Sequence, residues 1–101
     1  MELLLNEQDV VDSVCVYAAY RDNASPQDVD ADLQFNQQYG FSASSQIQGH
    51  MQRYFNEQEV VDAVSEYLQE YHNFPAERIL VELRFSQDEG IHASVKITND
   101  Y

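Results

Sequence analysis

The chain reads NEQDVVD at residues 6–12 and NEQEVVD at residues 56–62, and this recurrence is the strongest indication of its fold. The register between them continues without a gap as far as Ile47 over Ile97. We therefore predict a single domain, residues 1–101, made of two internal repeats at about 1–50 and 51–101. Two copies favour a pseudo-twofold arrangement, because an open solenoid usually needs three or more repeats.

Each of the two stretches contains the start of a helix. An asparagine that can cap the helix is followed three residues later by an acid, which is the arrangement of a capping box. The pairs are Asn6 with Asp9 and Asn56 with Glu59. Valine and tyrosine then recur at helical spacing and predict helices at about 7–21 and 57–72. The helices are expected to stop at the stretches Asn23-Ala24-Ser25-Pro26 and Asn73-Phe74-Pro75, because proline cannot continue the hydrogen-bond ladder.

Alternating apolar residues after each helix predict a β-hairpin with a glycine at its turn. Keeping the apolar residues on one face fixes the register of the second hairpin, since a slip of one residue would expose the whole set. The expected pairs are Phe85 with Ile91, Leu83 with Ala93, Val81 with Val95, and Ile79 with Ile97. The turn between these strands is then about five residues long.

A further turn at Gln48-Gly49 lets residues 50–55 return beside the strand 40–47. By the repeat, residues 1–5 should lie beside the C-terminal strand. The predicted fold is therefore α+β with the order β-α-β-β-β-α-β-β, an antiparallel sheet with both helices on one face. The six strands can form one continuous sheet or two three-stranded leaves, and we favour one sheet, joined by pairing 29–36 with 79–86.

Charge restricts the partners of the chain. Eighteen carboxylates against five Lys and Arg give a formal charge of −13, which repels phosphate backbones and anionic membrane surfaces. No stretch approaches the roughly 18 consecutive apolar residues of a membrane helix. We expect a cytoplasmic protein that binds neither nucleic acid nor membranes. Cys15 stands alone, so an internal disulfide is excluded.

Three acids alternate along the first predicted hairpin strand: Asp28, Asp30 and Asp32. Their carboxylates would share the polar face of the sheet and could hold a divalent cation. An EF-hand is excluded, because its sixth position is Leu33 rather than Gly and its twelfth is Tyr39 rather than Glu. The favoured interpretation is a solvated sheet face that Arg84 or Arg78 partly neutralises, and a metal site is the alternative.

The other candidate side chains do not form a known catalytic pattern. The histidines are His50, His72 and His92. They fall at a turn, a helix end and a strand, without the spacing that builds a zinc site on one helix. Cys15 flanks the buried stripe, where a small apolar role is expected, and the sequence places no base beside it. We predict no catalytic residue and no cofactor, and we expect His92 to lie opposite Arg84.

Tyrosine is abundant for a core of this size. The seven are Tyr17, Tyr20, Tyr39, Tyr54, Tyr67, Tyr71 and Tyr101. Two interpretations remain open: tyrosines at the rim of the core with hydrated hydroxyls, or tyrosines that mark an interface.

The run Asn6-Glu7-Gln8-Asp9-Val10-Val11, the following Cys15, and the run Tyr39-Gly40-Phe41-Ser42-Ala43 together resemble the YxcD-like family. This family consists of small uncharacterised proteins from Bacillus-type bacteria. The resemblance implies a cytoplasmic bacterial protein without an established activity, and it transfers no site residue.

These observations favour a small non-catalytic module that serves protein interaction or regulation in the cytoplasm. Its partner is expected to be a protein, and a second copy of the chain is one possibility because an open sheet leaves unpaired edges. The alternative is a small enzyme or a divalent-cation-binding protein that uses the acidic sheet face.

Overall fold

The computed structural model of the protein describes residues 1–98, apart from the side chain of Ala76. The helices are α1 (Glu7–Asp22) and α2 (Glu57–His72), and a short 3-10 turn follows each of them (Pro26–Asp28 and Ala76–Arg78). The strands are β1 (Glu2–Leu5), β2 (Val29–Asn36), β3 (Gly40–Ile47), β4 (Arg53–Phe55), β5 (Ile79–Ser86) and β6 (Gly90–Ile97). The α+β class and the predicted order of helices and strands are confirmed.

Both helices begin with a complete capping box. The Asn6 side chain accepts a hydrogen bond from the backbone N–H of Asp9 at 2.9 Å, and the Asp9 carboxylate accepts one from the backbone of Asn6 at 3.0 Å. The corresponding distances between Asn56 and Glu59 are 2.8 and 3.1 Å. Each box satisfies N–H groups that the first helical turn would leave unpaired.

Both helices end at an asparagine rather than at the proline that follows. Asn23 and Asn73 adopt left-handed backbone conformations, with φ of 52° and 60°. Asparagine tolerates this conformation better than other non-glycine residues, and it turns the chain out of the helix. Pro26 and Pro75 therefore act after the helix has already ended.

The hairpin register agrees with the prediction. In β5 and β6 the predicted pairs, from Ile79 with Ile97 to Phe85 with Ile91, are all present. The ladder extends one pair further, to Ser86 with Gly90, so the turn has three residues rather than five. The hairpin of β2 and β3 closes in the same way, with Asn36 opposite Gly40.

The first strand of each half completes the sheet of the other half. The strand β1 pairs with β6, and β4 pairs with β3, as the sequence predicted. The result is two three-stranded antiparallel sheets, with strand orders β1-β6-β5 and β2-β3-β4. Each helix therefore connects a strand of one sheet to the hairpin of the other.

The expected pairing of 29–36 with 79–86 into one sheet is wrong. The strands β2 and β5 belong to different sheets, and they approach each other through side chains: the Phe35 ring stacks on Phe85 with centroids 4.9 Å apart. The alternation of apolar residues fixes which face of a strand is buried. It does not fix which edges pair, because water can satisfy the backbone groups of an edge strand.

One hydrophobic core connects both helices and both sheets. The helix α1 contacts β2 and β3 of one sheet and β6 of the other, while α2 contacts β3, β4 and β5. The largest fully buried side chains are Leu68, Val10, Val14, Val60, Val64 and Val95. Burying a valine or leucine stabilises the fold by about 1.5–3 kcal/mol, so the valine stripes hold the layers together.

A glutamate at the start of each helix binds the hairpin turn of the other half of the chain. Glu7 accepts a hydrogen bond from the backbone N–H of Ile91 at 3.2 Å, and Glu57 accepts one from Phe41 at 3.1 Å. The turn residue before each donor is a glycine with positive φ, +68° at Gly90 and +81° at its counterpart in the other hairpin. A Cβ there would lie 2.7 or 2.5 Å from the glutamate oxygen.

Candidate functional site

An open groove runs beside the first helix. Its walls are α1, the 3-10 turn Pro26–Asp28 with β2, and two tyrosines of α2, Tyr67 and Tyr71. Its volume is about 530 Å³, and a second hollow of about 250 Å³ adjoins it, sharing Val16, Pro26 and Tyr71. Apolar side chains form most of the walls, among them Val11, Val16, Pro26, Val29 and Ala31.

Two stacked tyrosines form the aromatic side of the groove. The Tyr67 and Tyr71 rings lie with centroids 5.0 Å apart at 29°. Burial raises the pKa of Tyr67 above its usual value, and the carboxylates of Asp12 and Asp9 add to that shift. Tyr71 is 54% exposed, so much of its ring is available to a ligand.

The groove also contains Cys15, half-buried on α1. Its Sγ donates a weak hydrogen bond to the carbonyl of Val29 at 3.6 Å. Burial raises the pKa of the Cys15 thiol, and the nearby carboxylates of Asp12 and Asp30 raise it further. The sulfur is therefore a neutral thiol at physiological pH, which is the poorly nucleophilic form.

A charged side chain lies over the corresponding tyrosine of α1. The Arg21 guanidinium lies 3.4 Å from the centroid of the Tyr17 ring and 3.8 Å from the Glu66 carboxylate. Arg21 and Glu66 stand fifty residues from Tyr71 and Val16, respectively. Glu66 of α2 forms a salt bridge with Arg21. At the positions fifty residues from these two, the groove beside α1 has Val16 and the exposed Tyr71.

The acidic row is only partly as predicted. Asp30 and Asp32 lie on β2 with exposed side chains, but Asp28 ends the 3-10 turn, so its placement on the strand was wrong. Pro26 begins that turn and delays the strand by one residue. Within residues 1–98, no three His, Cys, Asp or Glu side chains are grouped to hold a metal ion. The cation hypothesis stays a prediction.

The basic and histidine residues lie elsewhere. Arg84 pairs with Glu82 on its own strand, at 2.5 Å, rather than with the acidic row. His92 lies opposite Arg84, as predicted, and its Nε2 is 3.6 Å from the Glu89 carboxylate. His50 and His72 occupy a turn and the end of α2.

The structure separates the tyrosines into two groups. Tyr17 is buried and Tyr67 is half-buried, which agrees with positions in or beside the core. The exposed ones are Tyr20, Tyr39, Tyr54 and Tyr71. Tyr101 lies outside the described residues. Sequence reasoning missed the groove, although the exchange of Arg21 for Tyr71 at an offset of fifty residues was a visible signal.

Fold and groove together define a small α+β protein with two helices, two three-stranded antiparallel sheets and an open, mainly apolar groove with acidic residues. The chain belongs to the family described as "Protein of unknown function (DUF2653)", whose model matches residues 1–89. The YxcD-like resemblance expected from the sequence is thereby confirmed.

A curated relative is the "Uncharacterized protein YxcD" of Bacillus subtilis (strain 168), 39% identical over 51 residues. The match covers 50% of this chain and 50% of that protein, so it spans half the relative's length. No solved structure matches the chain. Across residues 1–98, none of the helices combines the length and the apolar character needed to cross a membrane.

Proposed function

We propose that this chain is a non-catalytic, cytoplasmic protein-interaction module that binds a partner protein in the groove beside α1. The observation that carries the proposal is the open groove itself, with the exposed ring of Tyr71 on one side and apolar residues of α1 and β2 on the other. Tyrosine is enriched at the centres of protein interfaces, because its ring is large and rigid and its hydroxyl remains hydrated.

The chemistry of the groove supports binding rather than catalysis. Its volume of about 530 Å³ lies within the range of roughly 300–1,000 Å³ that ligand sites occupy. Cys15 is held as a neutral thiol by burial and by two neighbouring carboxylates, which is the opposite of what activates a nucleophile. Side chains that bury apolar area therefore suit this site better than a reacting substrate.

We also propose that the chain acts as one domain, made of two duplicated halves related by an approximate twofold axis. Both halves have the order strand, helix, 3-10 turn and hairpin, and both helices begin at a capping box. The two hairpins share the same register, offset by fifty residues. Because each half supplies a strand to the other's sheet, the halves are expected to fold together.

Site-specific crosslinking in the native host tests the proposed function. A benzophenone amino acid replaces Tyr71 in one variant and Arg21 in a matched variant, since these positions lie fifty residues apart on the two helices. We expect position 71 to capture one protein in stoichiometric yield and position 21 to capture none. Failure to capture a protein at position 71, or equal capture at both positions, would contradict the proposal.

A second proposal is that the module self-associates as a twofold dimer through a sheet edge. The observation that favours it is the exposure of Leu4 on β1 and Tyr54 on β4, at 77% and 72%. Both strands lie at the edge of their sheets among the described strands, and such edges invite pairing. A twofold contact would be self-complementary and closed.

Sedimentation velocity at micromolar concentrations measures this self-association. The charge of −13 opposes dimerisation, so the dimer fraction should rise as salt screens the charges. Leu4→Lys should return the protein to the monomer, whereas Gln46→Lys, at an exposed position of the central strand β3, is the matched control. A monomer at every accessible concentration and salt would refute the dimer.

A further inference from the structure

We propose that the segment bound in the groove presents an arginine, whose guanidinium lies against Tyr71 between the carboxylates of Asp12 and Asp30. This inference rests on the proposed function, because it names the chemistry of the partner that the groove would take. The segment bound in the groove is then cationic, rather than acidic or purely apolar.

The negative charge in the groove comes from two different walls. Asp12 projects from α1 and Asp30 from β2, and both belong to the lining of the groove. Both carboxylates also raise the pKa of Cys15, so their fields overlap at that thiol. None of the described residues that line the groove is a lysine or an arginine. A ligand that supplies the missing positive charge is therefore favoured over a neutral one.

The protein already contains an arginine bound in the way proposed. Arg21 places its guanidinium 3.4 Å from the centroid of Tyr17 and 3.8 Å from a carboxylate oxygen of Glu66. This geometry combines a cation–π contact with an ion pair. At the positions fifty residues away, Tyr71 stands in place of the arginine, the tyrosine is kept as Tyr67, and Val16 stands in place of Glu66. The carboxylates of the groove are instead those of Asp12 and Asp30. The groove thus offers an aromatic ring and carboxylates to an arginine from outside.

Arginine fits these groups better than other side chains. Its planar guanidinium stacks on an aromatic ring, and its five donors can reach carboxylates on two sides at once. Lysine is a compact, strongly hydrated charge that does not stack in this way. An apolar or acidic side chain would displace water from Asp12 and Asp30 without replacing their hydrogen bonds, which costs free energy.

The adjoining hollow suggests what lies next to the arginine. Its walls include Val16, Ala19, Ala24 and Pro26, which are mainly apolar and mostly from α1 and the following loop. Its volume of about 250 Å³ leaves room for an apolar side chain beside the arginine. The expected recognition element is therefore an arginine followed closely by a leucine or a similar residue.

Alkylation of Cys15 reports occupancy of the groove directly. Cys15 is the chain's one cysteine, and it lines the groove. Iodoacetamide labels the thiol, and the rate is followed by mass spectrometry with and without peptide. The probe is an acetylated Leu-Arg-Leu-Leu peptide, and the matched peptide carries citrulline, which keeps the shape of arginine but not its charge.

A second reporter separates groove binding from general attraction to an acidic protein. In the Cys15→Ser, Ser65→Cys variant the thiol moves to the position fifty residues on, in the second half and on α2. We expect the arginine peptide to slow labelling of Cys15 at saturation and to leave labelling at position 65 unchanged. The citrulline peptide should bind about tenfold more weakly, because it lacks the charge-assisted hydrogen bonds.

The carboxylates are tested by neutral variants. Asp12→Asn and Asp30→Asn should each weaken protection by the arginine peptide by roughly three- to tenfold, with little effect on the citrulline peptide. Asp62→Asn is the matched control, since Asp62 lies fifty residues from Asp12 on α2. Circular dichroism checks that each variant keeps its helices. Equal weakening by Asp62→Asn would mean unspecific charge attraction and would overturn the inference.

The remaining outcomes distinguish this inference from the proposed function. Equal protection by the arginine and citrulline peptides overturns the arginine and leaves an apolar protein-binding groove in place. If neither peptide protects Cys15 but a partner is crosslinked at position 71, the inferred arginine is wrong and the proposed function stands. If both peptides leave labelling unchanged and position 71 captures no protein, the arginine and the proposed function are both wrong.

Discussion

The two halves of the chain agree where the fold needs them to agree and differ along the second half of each helix. Both helices have the same capping box, the same left-handed asparagine and the same glutamate bound to a hairpin turn. They differ at Val16 and Glu66 and at Arg21 and Tyr71, the positions that leave one tyrosine open and cover the other. The fold therefore does not require one particular set of residues at these positions.

The halves also differ in how they fill the core. Leu68 is 1% exposed in α2, while the residue fifty positions earlier, Ala18, is fully buried in α1. The second half therefore contributes a larger side chain at this position.

Leu68→Ala should lower the free energy of unfolding by about 3 kcal/mol, because it removes buried atoms and leaves a cavity. Equilibrium urea unfolding gives the value. Leu80→Ala is the matched control, since this leucine is 62% exposed and should cost less than about 0.5 kcal/mol. Similar losses in the two variants would show that Leu68 does not anchor the core.

Gly40→Ala and Gly90→Ala should each cost about 2 kcal/mol, because a left-handed alanine is strained and its Cβ displaces the glutamate from the turn. Gly49→Ala has the same positive φ but no atom within 4 Å of the added Cβ, so only the strain of about 1 kcal/mol applies. Urea unfolding gives the loss of unfolding free energy in each variant. The loss beyond that of Gly49→Ala measures how much the contact between helix and turn stabilises the fold. Equal losses of stability in all three glycine variants would show that this contact does not stabilise the fold.

Asn56→Ala should lower the free energy of unfolding by about 1 kcal/mol, because the first turn of α2 loses its cap. Asn6→Ala should cost the same, since the two capping boxes have nearly equal distances. The two capping boxes share no residue, so the double variant should show the sum. Unchanged stability in either single variant would show that the asparagine at that position does not stabilise its helix.

The smallest effect concerns an ion pair between the two halves that has no counterpart at the positions fifty residues away. Arg53 donates to both carboxylate oxygens of Asp22, the shortest distance being 2.6 Å, whereas His72 and Leu3 stand at the positions fifty residues away. The hydrogen bonds from Arg53 hold the pKa of Asp22 below its usual range, and the charge of Arg53 adds to the effect.

A carboxyl whose pKa is lower in the folded state stabilises the fold above its unfolded pKa of about 3.9, and this contribution is lost as pH falls through the folded value. Urea unfolding from neutral pH to pH about 3 should therefore show a steeper loss for the wild type than for Arg53→Gln. The difference should be smaller than that of the cap variants. If the unfolding free energies of the wild type and Arg53→Gln fell in parallel with pH, Arg53 would not be the cause of the lowered pKa of Asp22.

The features that the sequence predicted correctly depend on short-range chemistry. Asn6 with Asp9 and Asn56 with Glu59 form capping boxes because three residues separate cap and acid. The hairpin registers followed from alternation along strands of eight residues. The pairing of β1 with β6 was predicted from the repeat. The turn at Gly49 brings β4 beside β3, and β1 and β6 are the strands at the equivalent positions of the repeat.

The features that escaped prediction depend on how distant segments meet. The strands β2 and β5 belong to different sheets and meet through the stacked rings of Phe35 and Phe85, and hydropathy does not distinguish this contact from strand pairing. The groove needs side chains of α1, β2 and α2 in one place, so a list of residues on one helix could not reveal it. Asp28 was placed on the strand because the 3-10 turn that begins at Pro26 has no clear periodicity in three residues.

Two hydrogen bonds between Met1 and Ile97 hold the residue before β1 beside the end of β6. The Met1 ammonium donates to the Ile97 carbonyl at 3.1 Å, and the Ile97 N–H donates to the Met1 carbonyl at 2.8 Å. The exposed turn at Gly49 joins β3 to β4 in the way that a linker from Ile97 to Met1 would join β6 to β1. A circular permutant opened at Gly49 should therefore keep both sheets, and a fully cyclised chain should unfold less readily because its unfolded state has lost conformational freedom.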